Sequence, residues 1–264
     1  MSIILNELTW TKNVIEHYDL GQSPAETLGC VAKYYRHLGL KKSEIRKKME
    51  EFLLRCDPYA SIVLWSDTID GALKYGMKHP LVMIDSIPVT KPEMEKIMRV
   101  KGIQAQRLAF TLLCIAKYRM AVNPKADGWV NTKESEISRM ANIKSSYKQQ
   151  NLLYGQLLDD GMLQASKRIT NLNVRVLFME DGDTALEVTD FRNLGNQYMK
   201  YLGKPFFVCK NCGLTVKVPD GAMPGKMKYC PDCAVKIHIR QNVNSVMRLR
   251  RASAETAAEV QASA

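Results

Sequence analysis

The strongest constraint on this chain is a pair of short cysteine motifs, Cys209-Lys210-Asn211-Cys212 and Cys230-Pro231-Asp232-Cys233, separated by seventeen residues. Two residues between cysteines let one tight turn aim both sulfurs at a point, and two such turns supply the corners of a tetrahedron. That donor set and spacing fit a structural zinc site. Gly213, directly after the first pair, and Pro231, inside the second, suit turn backbone. Two disulfides or four free thiols are the alternatives. The remaining three cysteines are scattered singly, unlike a disulfide framework. Cys209, Cys212, Cys230 and Cys233 are expected to hold one structural Zn2+ per chain, with no coordination position left open for chemistry.

The flanks of these motifs read as a zinc ribbon. Phe206-Phe207-Val208 enters the first pair as a strand, and Leu214 to Val218 leaves it as the partner strand. Before them, Thr189 to Tyr201 reads as a connecting helix. After them, Ala234 to Arg251 reads as a helix without one acidic residue. Ile237, Val243, Val246 and Met247 are expected to dock it. Lys236, His238, Arg240, Arg248, Arg250 and Arg251 are left for phosphate contacts, and His238 is expected to be a surface donor rather than a ligand. Ala252 to Ala264 reads as a disordered tail.

Charge is concentrated at the same end. The whole chain carries +11, but residues 1–90 hold 11 Lys/Arg against 11 Asp/Glu, and residues 91–190 hold 15 against 12. Residues 191–264 hold 12 against 4, a net +8. A basic segment of this kind points to a polyanion such as nucleic acid. A solvated basic tail is the alternative. In the ribbon, Lys226 and Lys228 join Lys217 as candidate contacts, with Asp220 the one acid of the spacer.

Residues 91–190 have the pattern of a winged helix-turn-helix. Helical segments run from Glu93 to Met120 with a break at Gly102, and Leu108, Leu112, Ile115 and Ala116 face a core. Trp129-Val130 is a short strand after the turn residues Asn123-Pro124 and Asp127-Gly128. Thr132 begins one helix, Asn142 to Ser146 forms the turn, and a second helix runs from about Ser146 to Asp160 with Leu152, Leu153, Leu157 and Leu158 as its apolar stripe. The start of such a helix reaches base edges, which makes Lys144, Ser145, Lys148 and Gln149 candidate nucleic-acid contacts. Met162 to Ala165 and Asn173 to Met179 form a hairpin whose basic tip carries Lys167 and Arg168.

Residues 1–90 read as a helical domain. Its helices are Thr9 to Tyr18, Ser23 to Leu38 with Ser23 as cap and Pro24 at the first position, Ser43 to Arg55, and Trp65 to Lys78 ending near Gly76. Pro88 and Pro92 mark a boundary. The sequence Ala32-Lys33-Tyr34-Tyr35, then Gly39-Leu40, Ser43-Glu44-Ile45 and Trp65-Ser66-Asp67, resembles the small helical domain at the C-terminus of some mobile-element primases. These are packing positions, so the resemblance carries no catalytic residue.

The chain has no P-loop, G-x-G-x-x-G, H-E-x-x-H or G-x-S-x-G, and the H-x-E half of a zinc deaminase is absent. No enzyme is expected. The first ten residues lack the apolar core of a secretory signal, so the cytoplasm is expected. Arg107 to Leu113, Thr189 to Gly195 and the doubled C-x2-C resemble a family of proteins from Firmicutes phages and mobile elements, which implies a host bacterial cell and no particular activity. The expected fold is mainly α with small β elements: a helical domain at 1–90, a winged helix at 91–190, a zinc ribbon with basic helix at 191–251, and a tail at 252–264. The expected function is nucleic-acid binding, to duplex DNA, in replication or transcription control. The alternative is an interaction protein, such as an anti-defence, anti-CRISPR-like inhibitor of a host nucleoprotein complex.

Overall fold

A computed structural model describes residues 3–166 and 173–262, with the backbone alone at 224 and 248–262. The chain divides into two compact units, Met1–Gly195 and Asn196–Ala264. Among the described residues it is mainly helical, with ten α-helices and three small antiparallel sheets. This is the expected fold class. No described helix is long and apolar enough to cross a membrane.

The first unit opens with α1 (Glu7–His17), α2 (Pro24–His37), α3 (Lys42–Cys56) and α4 (Ile62–Lys78). Leu28, Val31, Ile45, Met49, Leu53, Ile69 and Leu73 form their shared core. Pro24 opens α2, but Ser23 makes no side-chain cap; its carbonyl accepts the Thr27 hydroxyl instead. Gly76 does not end α4, as the sequence suggested, but lies inside it. A Cβ there would come 2.5 Å from the Ala32 Cβ and 3.0 Å from the Lys33 nitrogen. Glycine at this point lets α4 lie directly on α2. Beneath the helices, Lys33 Nζ donates to both Glu7 oxygens at 2.8 and 2.9 Å, and the Val82 N–H donates to the same carboxylate.

The unit continues with β1 (Ile87–Thr90), α5 (Lys91–Arg99), α6 (Ile103–Val122), β2 (Trp129–Val130), α7 (Glu134–Met140), α8 (Tyr147–Asp159), β3 (Leu163–Ala165), β4 (Val174–Val176) and β5 (Thr184–Val188). Pro88 does not separate two segments: it occupies the exposed position of β1, which pairs with β5 in the register Ile87↔Val188 and Val89↔Leu186. In a two-stranded sheet both strands are edges, where proline is tolerated. Residues 1–90 and 91–190 thus belong to one unit.

Gly102, at φ +91, separates α5 from α6. Leu108 to Ala116 is buried at every position, as expected of a helix surrounded by other elements. Against it lie α7, α8 and a three-stranded sheet in the order β2-β4-β3. Lys133, not Thr132, caps α7, without a side-chain bond. In α8 the buried residues are Tyr154 and Leu157. Leu152, expected in the apolar stripe, is 66% exposed because it projects from the opposite side of the helix.

The second unit takes in most of α9 (Leu194–Tyr201), then β6 (Phe206–Val208), β7 (Thr215–Lys217) and α10 (Pro231–Ala262). Two expectations change here. The backbone is helical through Ala262, where an irregular tail was expected; alanine-rich sequence has high helix propensity and extends a helix already nucleated. The docking residues also do not dock. Ile237 is half-buried, but residues 238–247 are exposed on every face.

Candidate functional sites

The four cysteines come together from two kinds of local structure. Cys209 and Cys212 sit where β6 turns into β7. The last rung, Val208↔Thr215, is followed by the Cys209 N–H donating to Leu214 O at 2.9 Å and the Gly213 N–H donating to Cys209 O at 2.9 Å. Gly213 has φ +74, in the left-handed region that favours glycine. Cys230 and Cys233 stand at the start of α10. The Cys230 carbonyl accepts the first helical N–H, from Ala234, at 2.8 Å. Positions three apart on a helix share a face, so both sulfurs point the same way. The segments are tied by the Lys210 N–H, which donates to Lys228 O at 2.8 Å.

All four sulfurs lie within 4.8 Å of one another. Cys212 Sγ is 3.7 Å from Cys230 Sγ, far beyond the ~2.05 Å of a disulfide, and all seven cysteines are free. Cys209, Cys230 and Cys233 are buried and form the core of this small unit with Leu214 and Val216 around them. Asn211 Nδ2 donates to Cys233 Sγ at 3.3 Å, a sulfur contact that only its place between Cys209 and Cys212 could have signalled. Burial opposes a thiolate at Cys209, but hydrogen bonds from the backbone of Cys230, Cys212 and Asn211 outweigh it and bring that thiol down to about 6. Burial pushes Cys212 up, and pushes Cys230 up to about 12. The N-terminal end of α10 adds a positive dipole beside two of the sulfurs. Such a cluster can hold a metal ion. His238 stays outside it, exposed, with Nε2 3.2 Å from Asn242 Nδ2.

No protein-family model, curated protein or solved structure matches this chain.

The second candidate site is the start of α8. Ser146 and Gln149 form a reciprocal cap: the Gln149 N–H donates to Ser146 Oγ, and the Ser146 N–H donates to Gln149 Oε1 at 3.2 Å. Gln149, expected to read bases, spends its acceptor on the backbone. Ser145 Oγ is buried without a protein partner, so it does not face outward either. Gln150 is also engaged, accepting from Ser138 Oγ and donating to Ser145 O. Lys144, Tyr147, Lys148 and Asn151 remain, all exposed, with Tyr147 68% exposed. The sequence signal for Tyr147 is its place between Ser146 and Lys148 at a polar helix start. Lys167 and Arg168 lie outside the described residues. In the second unit Lys226, Lys228 and Arg240 are exposed, while Arg248, Arg250 and Arg251 lie on the helical backbone of α10.

Proposed function

We propose that this chain is a nucleic-acid-binding accessory protein of a phage or mobile element, without catalysis of its own, acting in the host cytoplasm. The observation that carries the reading is the exposed group Lys144, Tyr147, Lys148 and Asn151 at the start of α8. It sits within a helix-strand-helix-helix-strand-strand order whose third strand lies between the other two. That order supports a winged-helix reading, in which α8 would enter the major groove. Lysines serve phosphate or guanine, Asn151 can pair an adenine edge, and Tyr147 can stack or pack on sugar.

In the same reading the metal is zinc and the second unit is a zinc ribbon. A tetrahedron with metal–sulfur bonds of about 2.3 Å has edges of about 3.8 Å, close to the 3.7 Å between Cys212 and Cys230. Zinc would supply charge neutralisation and much of the folding free energy of so small a core. Lys226, Lys228, Arg240 and the arginines of α10 would then act on phosphates.

Binding to labelled duplex DNA across a salt series tests this reading. Each phosphate neutralised adds roughly 0.9 to the slope of log affinity against log salt. Lys144→Ala and Lys148→Ala should each weaken binding and reduce the slope by about 1. A chain that does not bind at low salt removes the proposal.

A second reading, an anti-defence interaction protein, is favoured by one separate observation. Tyr59, Val63 and Leu64, at the α3–α4 turn, are 96%, 84% and 84% exposed. Apolar side chains grouped this way mark protein contacts. Nuclease-treated pull-downs from host cells, with and without Val63→Asp and Leu64→Asp, separate the two: one protein retained by the native chain and lost by the variants would favour the second.

A further inference from the structure

A cleft of about 470 Å³ lies at the base of the β3–β4 hairpin, where the end of α5 meets the end of α8. Its floor is apolar, formed by the buried residues Val100, Met162 and Phe178. Leu177 makes one wall and is 48% exposed. The Leu177 N–H donates to Met162 O at 2.9 Å, so wall and floor are fixed by the same rung. Lys96, Arg99 and Lys101 stand around this apolar part, with Asp160 as the one acid of the lining. A volume of this size suits a small molecule, whose apolar part gives affinity while a few polar groups orient it.

The charges select the sign of that molecule. Lys96 is already paired with Glu180. Arg99 is held far more loosely: its guanidinium reaches Glu95 at 3.9 Å, with 79% and 62% of the two side chains exposed. A pair so exposed is worth little and exchanges readily for a better partner. Lys101 is exposed in the turn between α5 and α6. Arg99 and Lys101 can therefore turn to an incoming anion, and a guanidinium bonds a carboxylate, sulfonate or phosphate through two N–H groups at once. A cation would find Asp160 alone against three positive charges. A bare inorganic anion would leave Val100, Met162, Leu177 and Phe178 uncovered. An anionic group carried on an apolar body satisfies both halves of the lining, and the flexible thioether of Met162 adapts to its outline.

We infer that this cleft binds a small organic anion. A ring-sized apolar body lies against Met162, Leu177 and Phe178, and its carboxylate, sulfonate or phosphate monoester is held by Arg99 and Lys101. The site is separate from the start of α8. Asp160 and Gly161 follow the last turn of that helix, which runs thirteen residues from Tyr147, about 20 Å. A ligand here leaves Lys144, Tyr147 and Lys148 uncovered. Gln156 Nε2, near the end of α8, donates to Lys101 O at 2.8 Å, so the turn that holds the anion is fastened to α8 itself. The inference stands whether or not α8 meets nucleic acid.

Naphthalene sulfonate and its uncharged sulfonamide, which share a shape, test this on the full-length chain. Binding is followed through the Met162 methyl resonance of methionine-methyl-labelled protein, identified with Met162→Leu. The sulfonate should move that resonance saturably and bind more tightly than the sulfonamide. Arg99→Gln with Lys101→Gln, both at exposed positions, should weaken the sulfonate about tenfold and leave the sulfonamide unchanged. That variant should melt as the native chain does, which separates lost binding from lost fold. Leu177→Asp should weaken both compounds, and Lys144→Gln with Lys148→Gln should affect neither. A Met162 resonance that stays in place up to millimolar sulfonate overturns the proposal, as does equal affinity for the two compounds. A double glutamine variant that keeps native affinity for the sulfonate overturns it as well.

Discussion

Lys117 Nζ donates to both carboxylate oxygens of Glu93, at 3.0 and 2.8 Å, joining the first turn of α5 to the middle of α6. The same carboxylate accepts the Thr90 N–H at 2.8 Å and the Glu180 N–H at 3.2 Å. Glu93 is fully buried, and Lys117 keeps 20% of its side chain exposed. One carboxylate thus satisfies a helix start, a lysine and the chain entering β5. Removing a single partner of such a pair leaves the other charge buried. Lys117→Met should lower the stability of the first unit by about 3 kcal/mol, read as the urea midpoint. Lys117→Arg should recover part of that loss.

Chelation should act on one unit only. Cys209, Cys230 and Cys233 form the buried core of residues 196–264, with Cys212 packed against them, whereas the first unit has its own apolar interior. Metal binding to such a cluster contributes apparent free energies on the order of 10 kcal/mol. Excess chelator should erase dispersed amide resonances from the second unit and leave those of the first in place. Cys209→Ser should do the same without chelator. Metal analysis of the native chain should find about one zinc per chain.

Alkaline pH should destabilise the first unit as its buried thiols are forced to ionise. Burial pushes the Cys30 thiol up to about 12 and raises Cys114 as well; both are buried. Unfolded thiols ionise near 8.5, so above that pH the unfolded state binds fewer protons than the folded state. The stability these protonated thiols contribute is complete below about 8.5 and is lost as pH rises towards the folded values. Each such thiol adds a slope of about 1.4 kcal/mol per pH unit within that window. Melting curves of Cys114→Ala should show a shallower alkaline decline than the native chain, even though the variant starts from lower stability at neutral pH.

Two glycines of α4 should respond in opposite directions. Gly76→Ala sets a methyl against Ala32 and the backbone of Lys33; overpacking of this kind costs about 1–3 kcal/mol. Gly71 has nothing within 4 Å of the Cβ it would gain, so Gly71→Ala should add about 0.5–1 kcal/mol through helix propensity. Thermal denaturation of the two variants checks both signs at once.

What the sequence revealed depended on how local the cause was. The C-x2-C spacing located all four sulfurs because two-residue turns restrict where thiols can point. The break at Gly102 is likewise settled within a few residues. Gly76 misled because a glycine that ends a helix and one that admits a neighbouring helix look alike until Ala32 is placed against it. The β1–β5 pair escaped notice because its strands are separated by nearly a hundred residues and Pro88 reads as a breaker. Gln149 looked like a base reader because its type fits; only the backbone around Ser146 shows that its oxygen is committed to the cap. The end of α10 read as tail because alanine and serine give no apolar face, although they do not prevent a helix from continuing.

The pairing of Ile87 with Val188 closes residues 88–187 into a loop whose two ends leave from the same edge of one small sheet. The Lys91 N–H adds another fastening, donating to Asp183 O at 2.8 Å. Tension on the chain from outside this loop meets the rungs in sequence, Ile87–Val188 first and Thr90–Thr184 last. The strands are unzipped rung by rung, not sheared apart together. The sheet β2-β4-β3 and the start of α8 lie inside this loop, and Phe191 packs on Tyr118 from beyond it. Four residues on each side thus close the neck of the loop as a purse-string does.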